Sequence, residues 1–373
     1  MLPPISLLVP VSKTSVHPLL SSGIINYARL LNAYGFDMRH LPRVLGLGLG
    51  ILAREPVSWI AAARYHRRVE RQEIAPDPLF IVGHWRSGTT HLQNLLNCDP
   101  QFSCVTLLQA GMPREYLLLS EGVKRWLGRL LPSTRLMDNV SIAADVPWEE
   151  ELALAAASRY SFYHVSFFPR SMERIFDEAV MFDSVPQAAI RKWWTGYLRF
   201  LQMVQYDQPG RRLLLKNPAN TARIRLLKKR FPKAQFIHIH RNPYKVFVSS
   251  VHLYLQAQNA WGLQSTDRQR VVAHVLASYP QLMRAYFEQR EVLAETDLAE
   301  VSFASLQKAP LETLESIYCR LDLTGFEEAV PRFRAYLERQ KGYRKNRLEL
   351  TESERAAVAT CWRDIFTGLG YEM

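Results

Sequence analysis

The chain has 373 residues, 48% of them hydrophobic, with 47 basic against 35 acidic side chains and a formal charge of +12. That composition supplies a core for one large α/β domain or two smaller ones, and no internal repeat or low-complexity tract interrupts it. The basic excess points to an anionic partner (nucleic acid, an acidic membrane surface or a polyphosphorylated cofactor), and charge alone does not choose among them.

The first 27 residues are apolar but broken by Pro3, Pro4, Pro10, Lys13 and Pro18, without the basic start of an export signal. Residues 20–75 read as helices ahead of a core, which divides the chain into a helical segment, 1–75, and a main domain, 76–373. Within that segment VLGLGLGILA, residues 44–53, has ten uncharged positions between Arg43 and Arg54. A spanning helix needs ~20 residues, so this stretch does not span. It precedes Trp59, Arg64, His66, Arg67, Arg68 and Arg71. An apolar segment beside a basic cluster can lie on an anionic membrane, and it also reads as a helical layer packed on the domain.

Next comes FIVGHWRSGTTHLQNLL, residues 80–96. A short apolar strand, 78–82, runs into Gly83; four residues follow, then Gly88, then an amphipathic helix. This is the strand–loop–helix layout in which backbone N–H groups and a helix N-terminus cradle phosphate. A nucleoside triphosphatase carries Lys directly after the second glycine. Here that place holds Thr89, followed by Thr90, and the cation sits inside the loop as Arg86.

Further on, a helix is expected to start near Pro147, with Asp145 as N-cap and Glu149, Glu150 and Glu151 in its first turn. Residues 186–207 read as a helix, 212–216 as a strand and 219–230 as a helix stopped by Pro232. A strand at 234–240 and a helix at 243–255 follow. The last third reads as mostly helical, with a strand around 300–303. Strands alternating with helices imply a mainly parallel sheet covered on both faces.

The strand at 234–240 leads into RNPYKVFVSS, with Arg241 at its end and Ser249 eight residues later. Ligands of such sheets bind outside the carboxyl ends of the strands, where an arginine can fork two phosphate oxygens. A metal-dependent phosphoryl-transfer site would place an acidic residue at a strand end, but these strands end in Lys216 and Arg241. Charge is therefore expected to be neutralised by side-chain cations, with no metal.

Together these segments resemble the sulfotransferases that use 3′-phosphoadenosine 5′-phosphosulfate (PAPS), and most of all their bacterial branch related to the tyrosylprotein enzymes. GHWRSGTT is similar to the family's 5′-phosphosulfate loop, RNPYKVFVSS to its 3′-phosphate motif, and LLLKNP to its K-[DN]-P segment. The resemblance is clear over 78–255 and fainter beyond. It implies a P-loop-like three-layer sandwich with a central parallel sheet and additional N- and C-terminal helices.

It also implies that Arg86, Thr89 and Thr90 grip a phosphosulfate while Ser87 and Gly88 supply backbone N–H groups. Arg241 and Ser249 would hold the 3′-phosphate. As plain structure, Arg86 would be a surface charge, Thr89 a helix N-cap and Lys216 one half of a salt bridge. The implied reaction is metal-independent in-line transfer of a sulfuryl group from PAPS to an acceptor hydroxyl. Lys216, Arg86 and Thr89 are candidates to stabilise the leaving oxygen.

The base is open. In the cytosolic branch it is a histidine, but the corresponding region here, DVPWEEELAL, offers only carboxylates. Glu149, Glu150 or Glu151 can serve, and three acids in a first helical turn also complement the dipole without catalysis. His84 and His91, flanking the loop, are rivals. Lys341 and Gly342 in RQKGYRKNRLEL resemble a segment that closes over the 3′-phosphate, and a charge run is equally a solvated face. Leu, Phe and Tyr in 107–136 and 162–182 suit a lipid-like acceptor or ordinary core, and a small-molecule or carbohydrate hydroxyl stays open. Another P-loop kinase is disfavoured by the missing Lys and Asp. Nucleic acid is not expected, because the basic residues lack aromatic interleaving. Four cysteines without metal or redox spacing fit a reducing, cytoplasmic setting.

Overall fold

The computed structural model describes residues 16–130, 143–340 and 348–373. Its centre is a five-stranded sheet: β1 (Leu79–Val82), β2 (Phe102–Cys104), β3 (Arg212–Lys216), β4 (Gln235–His240) and β5 (Leu298–Ser302), in the order β2-β3-β1-β4-β5. Every pairing is parallel, with Ile81 beside Lys216 and Val82 beside His238. Alternation along the strands explains why both faces must be covered. Phe80, Val82, Leu213, Leu215 and Phe236 point into one apolar cluster, while Leu79, Ile81, Leu214, Ile237 and Ile239 point into the other.

The register places the carboxyl ends of β3, β1 and β4 side by side. Lys216 closes β3, Gly83 follows β1, and Arg241 follows β4. All three segments singled out in the sequence therefore open onto one edge of the sheet, where the topology leaves a crevice.

Two expected helices are redrawn. The helix after Pro147 begins only at Glu151, as Glu151–Ala157, so Glu149 and Glu150 precede it and Asp145 does not cap it. Residues 219–230 divide into a 3-10 turn, Pro218–Ala222, and a helix, Ile224–Arg230. The break falls at Arg223, whose fully buried guanidinium pairs with Glu151 at 3.2 Å and lies over Trp193 and Phe182. A long-range ion pair outweighs local helix propensity there.

Ahead of the sheet, α1 (Ile24–Tyr34) and α2 (Leu41–Glu70) pack on the domain. Asn26 donates to Ala155 O and Ala156 O, and Glu55 pairs with Arg114 at 2.7 Å. The apolar stretch 44–53, too short to span on its own, lies in the N-terminal half of the 30-residue α2. The segment from Met38 to Glu70 is long and apolar enough to cross a membrane.

Candidate active site

The loop after β1 is shaped by backbone conformations that few residues accept. Gly83 has φ 135°, and a Cβ there would lie 2.2 Å from Ile239 O on the neighbouring strand. Its N–H donates to Thr221 Oγ1 at 2.8 Å, tying the loop to the turn after β3. Gly88 has φ 101° and begins α3 (Thr89–Leu96) as its N-cap, so Thr89 is the first helical residue and not the cap. A Cβ on Gly88 would meet the Phe303 ring at 2.2 Å. Ser87 is buried, and its N–H already donates to His84 O at 3.1 Å, so in this conformation it closes a turn.

Arg86 adopts φ 72°. A non-glycine residue held there costs ~1–3 kcal/mol, and such strain clusters at ligand clamps. Its side chain runs to the other motif: Nε donates to Ser249 Oγ at 2.8 Å. Arg241 donates to Arg86 O at 3.2 Å and lies 4.9 Å over the Phe303 ring. The sequence suggested two separate anion sites, with Arg86 at the phosphosulfate. In the structure Arg86 is hydrogen-bonded to both residues expected at the 3′-phosphate, Arg241 and Ser249.

A second cluster stands at the other side of the loop. Lys216, 1% exposed, donates to Glu149 Oε1 at 2.5 Å and to Thr90 Oγ1 at 3.3 Å. Glu149, 15% exposed, is thus linked through Lys216 to the first turn of α3.

The other two acids have different tasks. Glu150 is wholly buried, accepts from Tyr197 Oη and Asn220 Nδ2 through Oε1, and burial pushes its carboxyl up to about 7. Glu151 accepts from Asn217 Nδ2 at 2.6 Å, from Arg223 and from the Phe162 N–H at 2.9 Å. Both lock the segment after β3, and Glu151 has its lone pairs taken up inside the protein. Glu149, by contrast, faces Lys216 directly.

His84 is a packing residue. Burial lowers it to about 3, its Nδ1–H donates to Trp85 O at 2.7 Å, and Tyr279 stacks on it edge-on at 4.7 Å. His91 lies among rings, 6.4 Å from Phe303 and 6.2 Å from Tyr336. Lys341 and Gly342 lie outside the described residues. No motif pointed to Phe303, which begins the helix after β5 and braces both Gly88 and Arg241, or to His252, lowered by burial and by the charge of Arg86. Their nearness to the loop is created by tertiary structure alone.

A family model described as "Sulfotransferase family" matches residues 78–328, from the start of β1 to beyond β5. The chain belongs to the sulfotransferase family. The omega-hydroxy-beta-dihydromenaquinone-9 sulfotransferases Stf3 of Mycobacterium bovis and Mycobacterium tuberculosis are each 33% identical to it over 308 residues, 83% of this chain and 79% of theirs. The fold is shared with the crystal structure of sulfotransferase STF9 from Mycobacterium avium (TM-score 0.66, 20% identity, 95% of this chain and 98% of that one). It is shared also with STF1 from Mycobacterium tuberculosis (TM-score 0.62, 19% identity, 95% of each). The chain is therefore an enzyme that transfers a sulfuryl group, built on a P-loop-like α/β fold.

Proposed function

We propose that the sulfuryl donor is PAPS and that the acceptor is the hydroxyl of a lipid-like alcohol. The observation that carries this reading is the pair of clusters on one sheet edge: Arg86, Arg241 and Ser249 on one side of the loop, Lys216, Thr90 and Glu149 on the other. Arginines and a hydroxyl suit a phosphate, which accepts bidentate, charge-assisted bonds. The buried lysine and the start of α3 suit a second anion. A donor with two separated anionic groups fits such a set, and PAPS has a 3′-phosphate and, at its 5′ end, a phosphate that carries the activated sulfuryl group as its terminal group. Arg241 and Ser249 would hold the 3′-phosphate, with Arg86 bridging towards it. Thr89, Thr90 and the amide of Gly88 would hold the 5′ side.

In this reading Glu149 is the base. Its carboxylate takes the proton of the acceptor hydroxyl as the oxygen–sulfur bond forms, and the electron pair of the broken sulfur–oxygen bond stays on the bridging oxygen. Taking up the proton removes the negative partner of Lys216. The ammonium, still held by Thr90, then stabilises the charge growing on the leaving oxygen. Fixed donors at such an oxygen are usually the largest catalytic contribution. One proton shift thus couples both residues.

The acceptor class is supported by the relatives, named for a hydroxylated menaquinone, and by the apolar side chains near the site, including Trp85 stacked on Phe162 at 3.7 Å. The test is transfer of radiolabelled sulfate from PAPS to hydroxylated isoprenoid quinones, with sugars and phenols as competing acceptors. Labelled lipid is the expected product. Labelling of sugars or phenols alone would remove the lipid reading, and no labelling of any acceptor would remove PAPS.

A further inference from the structure

The helix α2 buries one face and leaves the other bare. Val44, Leu47, Ile51, Ser58 and Ala61 are buried against the protein, whereas Leu45, Leu49, Leu52, Trp59 and Ile60 are between 51% and 69% exposed. At about 100° per residue, positions 45, 49, 52, 56, 59, 60 and 63 fall on a single stripe, roughly 25 Å long at 1.5 Å per residue. It is occupied by Leu, Leu, Leu, Pro, Trp, Ile and Ala, every one exposed. A contiguous apolar surface of this kind marks an interaction site.

Charge at the ends of the stripe indicates the partner. Arg64, Arg67, Arg68 and Arg71 are exposed at its C-terminal end, and Arg39 and Arg43 at its N-terminal end. The exposed acids nearby are Glu70, beside His66 at 3.3 Å, and Glu73. Glu55 is turned inward onto Arg114. An apolar stripe ending in an arginine cluster matches the acyl and headgroup layers of an anionic bilayer.

The helix has the length to span, but its inner face is tied to the domain. Arg54 pairs with the buried Glu115 at 2.8 Å, Ser58 Oγ donates to the same carboxylate, and Tyr27 Oη donates to Val44 O. Crossing the membrane would strip these bonds, whereas lying on it keeps them all. We propose that the outer face of α2 docks the enzyme on an anionic phospholipid bilayer, with the helix parallel to the surface and its apolar stripe set into the headgroup boundary. This inference stands whatever the acceptor is.

The test is co-sedimentation of the full chain with phosphatidylcholine vesicles and with vesicles containing phosphatidylglycerol, at low and high salt. Binding is expected to the anionic vesicles and to weaken as salt screens the arginines. Arg67→Gln with Arg68→Gln should weaken it by about fivefold per charge. Leu49→Glu with Trp59→Glu should weaken it by at least ~10-fold. Both variants should keep the wild-type thermal midpoint and affinity for adenosine 3′,5′-bisphosphate, which separates docking from folding and from catalysis. Absence of wild-type binding, or variants that bind as wild type does, would overturn the proposal. So would a wild-type dimer that Leu49→Glu with Trp59→Glu converts to monomer while neither form binds vesicles, because a second copy would then cover the stripe.

Discussion

Replacing Glu149 by glutamine tests whether this carboxylate moves a proton or only neutralises a buried lysine. Glu149→Gln keeps the size and an acceptor oxygen 2.5 Å from Lys216 Nζ but removes the charge and the basicity. Lys216, 1% exposed, keeps its hydroxyl partner, Thr90 Oγ1 at 3.3 Å, but loses its bond to a carboxylate charge. Breaking a buried pair from one side costs ~3–5 kcal/mol. Because Glu149 is 15% exposed and the amide still accepts a bond, a loss of ~2 kcal/mol is expected, which in a chain of this length lowers Tm by about 2–3 °C. Loss of a general base costs ~10²–10⁴ in rate, or ~3–5 kcal/mol of barrier. The assay is kcat and kcat/KM for sulfuryl transfer well below the lowered Tm, alongside titration with adenosine 3′,5′-bisphosphate. The account expects turnover to fall at least ~100-fold with product affinity unchanged. Turnover within about threefold of wild type would refute the base assignment and leave Glu149 as a structural counter-ion.

Other consequences are equally open to measurement. Burial raises Glu150 from its ordinary 4.5 to about 7, so the folded protein holds an extra proton between those values and stability falls as pH rises through that window. Glu150→Gln, which keeps an acceptor for Tyr197 and Asn220, should abolish this decline and gain up to ~3 kcal/mol above neutrality, as read by thermal melts at about pH 5 and about pH 8. Arg86→Gly relieves a left-handed backbone, so stability should hold or rise while affinity for adenosine 3′,5′-bisphosphate drops by ~10–100-fold; unchanged affinity would make Arg86 merely structural. Gly83→Ala forces a Cβ against Ile239 O and should cost on the order of 3 kcal/mol in chemical denaturation.

Four of the five strands and the loop were legible because they are local, whereas the three-residue β2, Phe102–Cys104, was missed because it is too short to show a pattern of its own. LFIV and RLLLK are short apolar runs bounded by turns, and the spacing of Gly83 and Gly88 is a property of one segment. The three acids were legible as candidates but not as individuals. Acidic residues suit a first helical turn, yet partners 66 to 72 residues away, Lys216, Asn220, Asn217 and Arg223, assign them different tasks and delay the helix to Glu151. The same reach defeats any sequence rule for Arg86, which finds Ser249 across 163 positions. The length of α2 was hidden for the opposite reason. Arg43 and Arg54 bound the uncharged stretch in the sequence, while packing of Val44, Leu47 and Ile51 on the domain sustains one helix well past Arg54.

The claim on which the rest depends is that Arg86, Arg241 and Ser249 recognise a 3′-phosphate. It is tested most directly by calorimetric titration of the purified chain with adenosine 3′,5′-bisphosphate, AMP and ATP–Mg in parallel, repeated on Arg241→Ala. The account predicts tight binding of the 3′-phosphorylated nucleotide alone and a loss of ~10–100-fold in the variant. Equal affinity for all three nucleotides, or an Arg241→Ala protein that binds as wild type does, would contradict it.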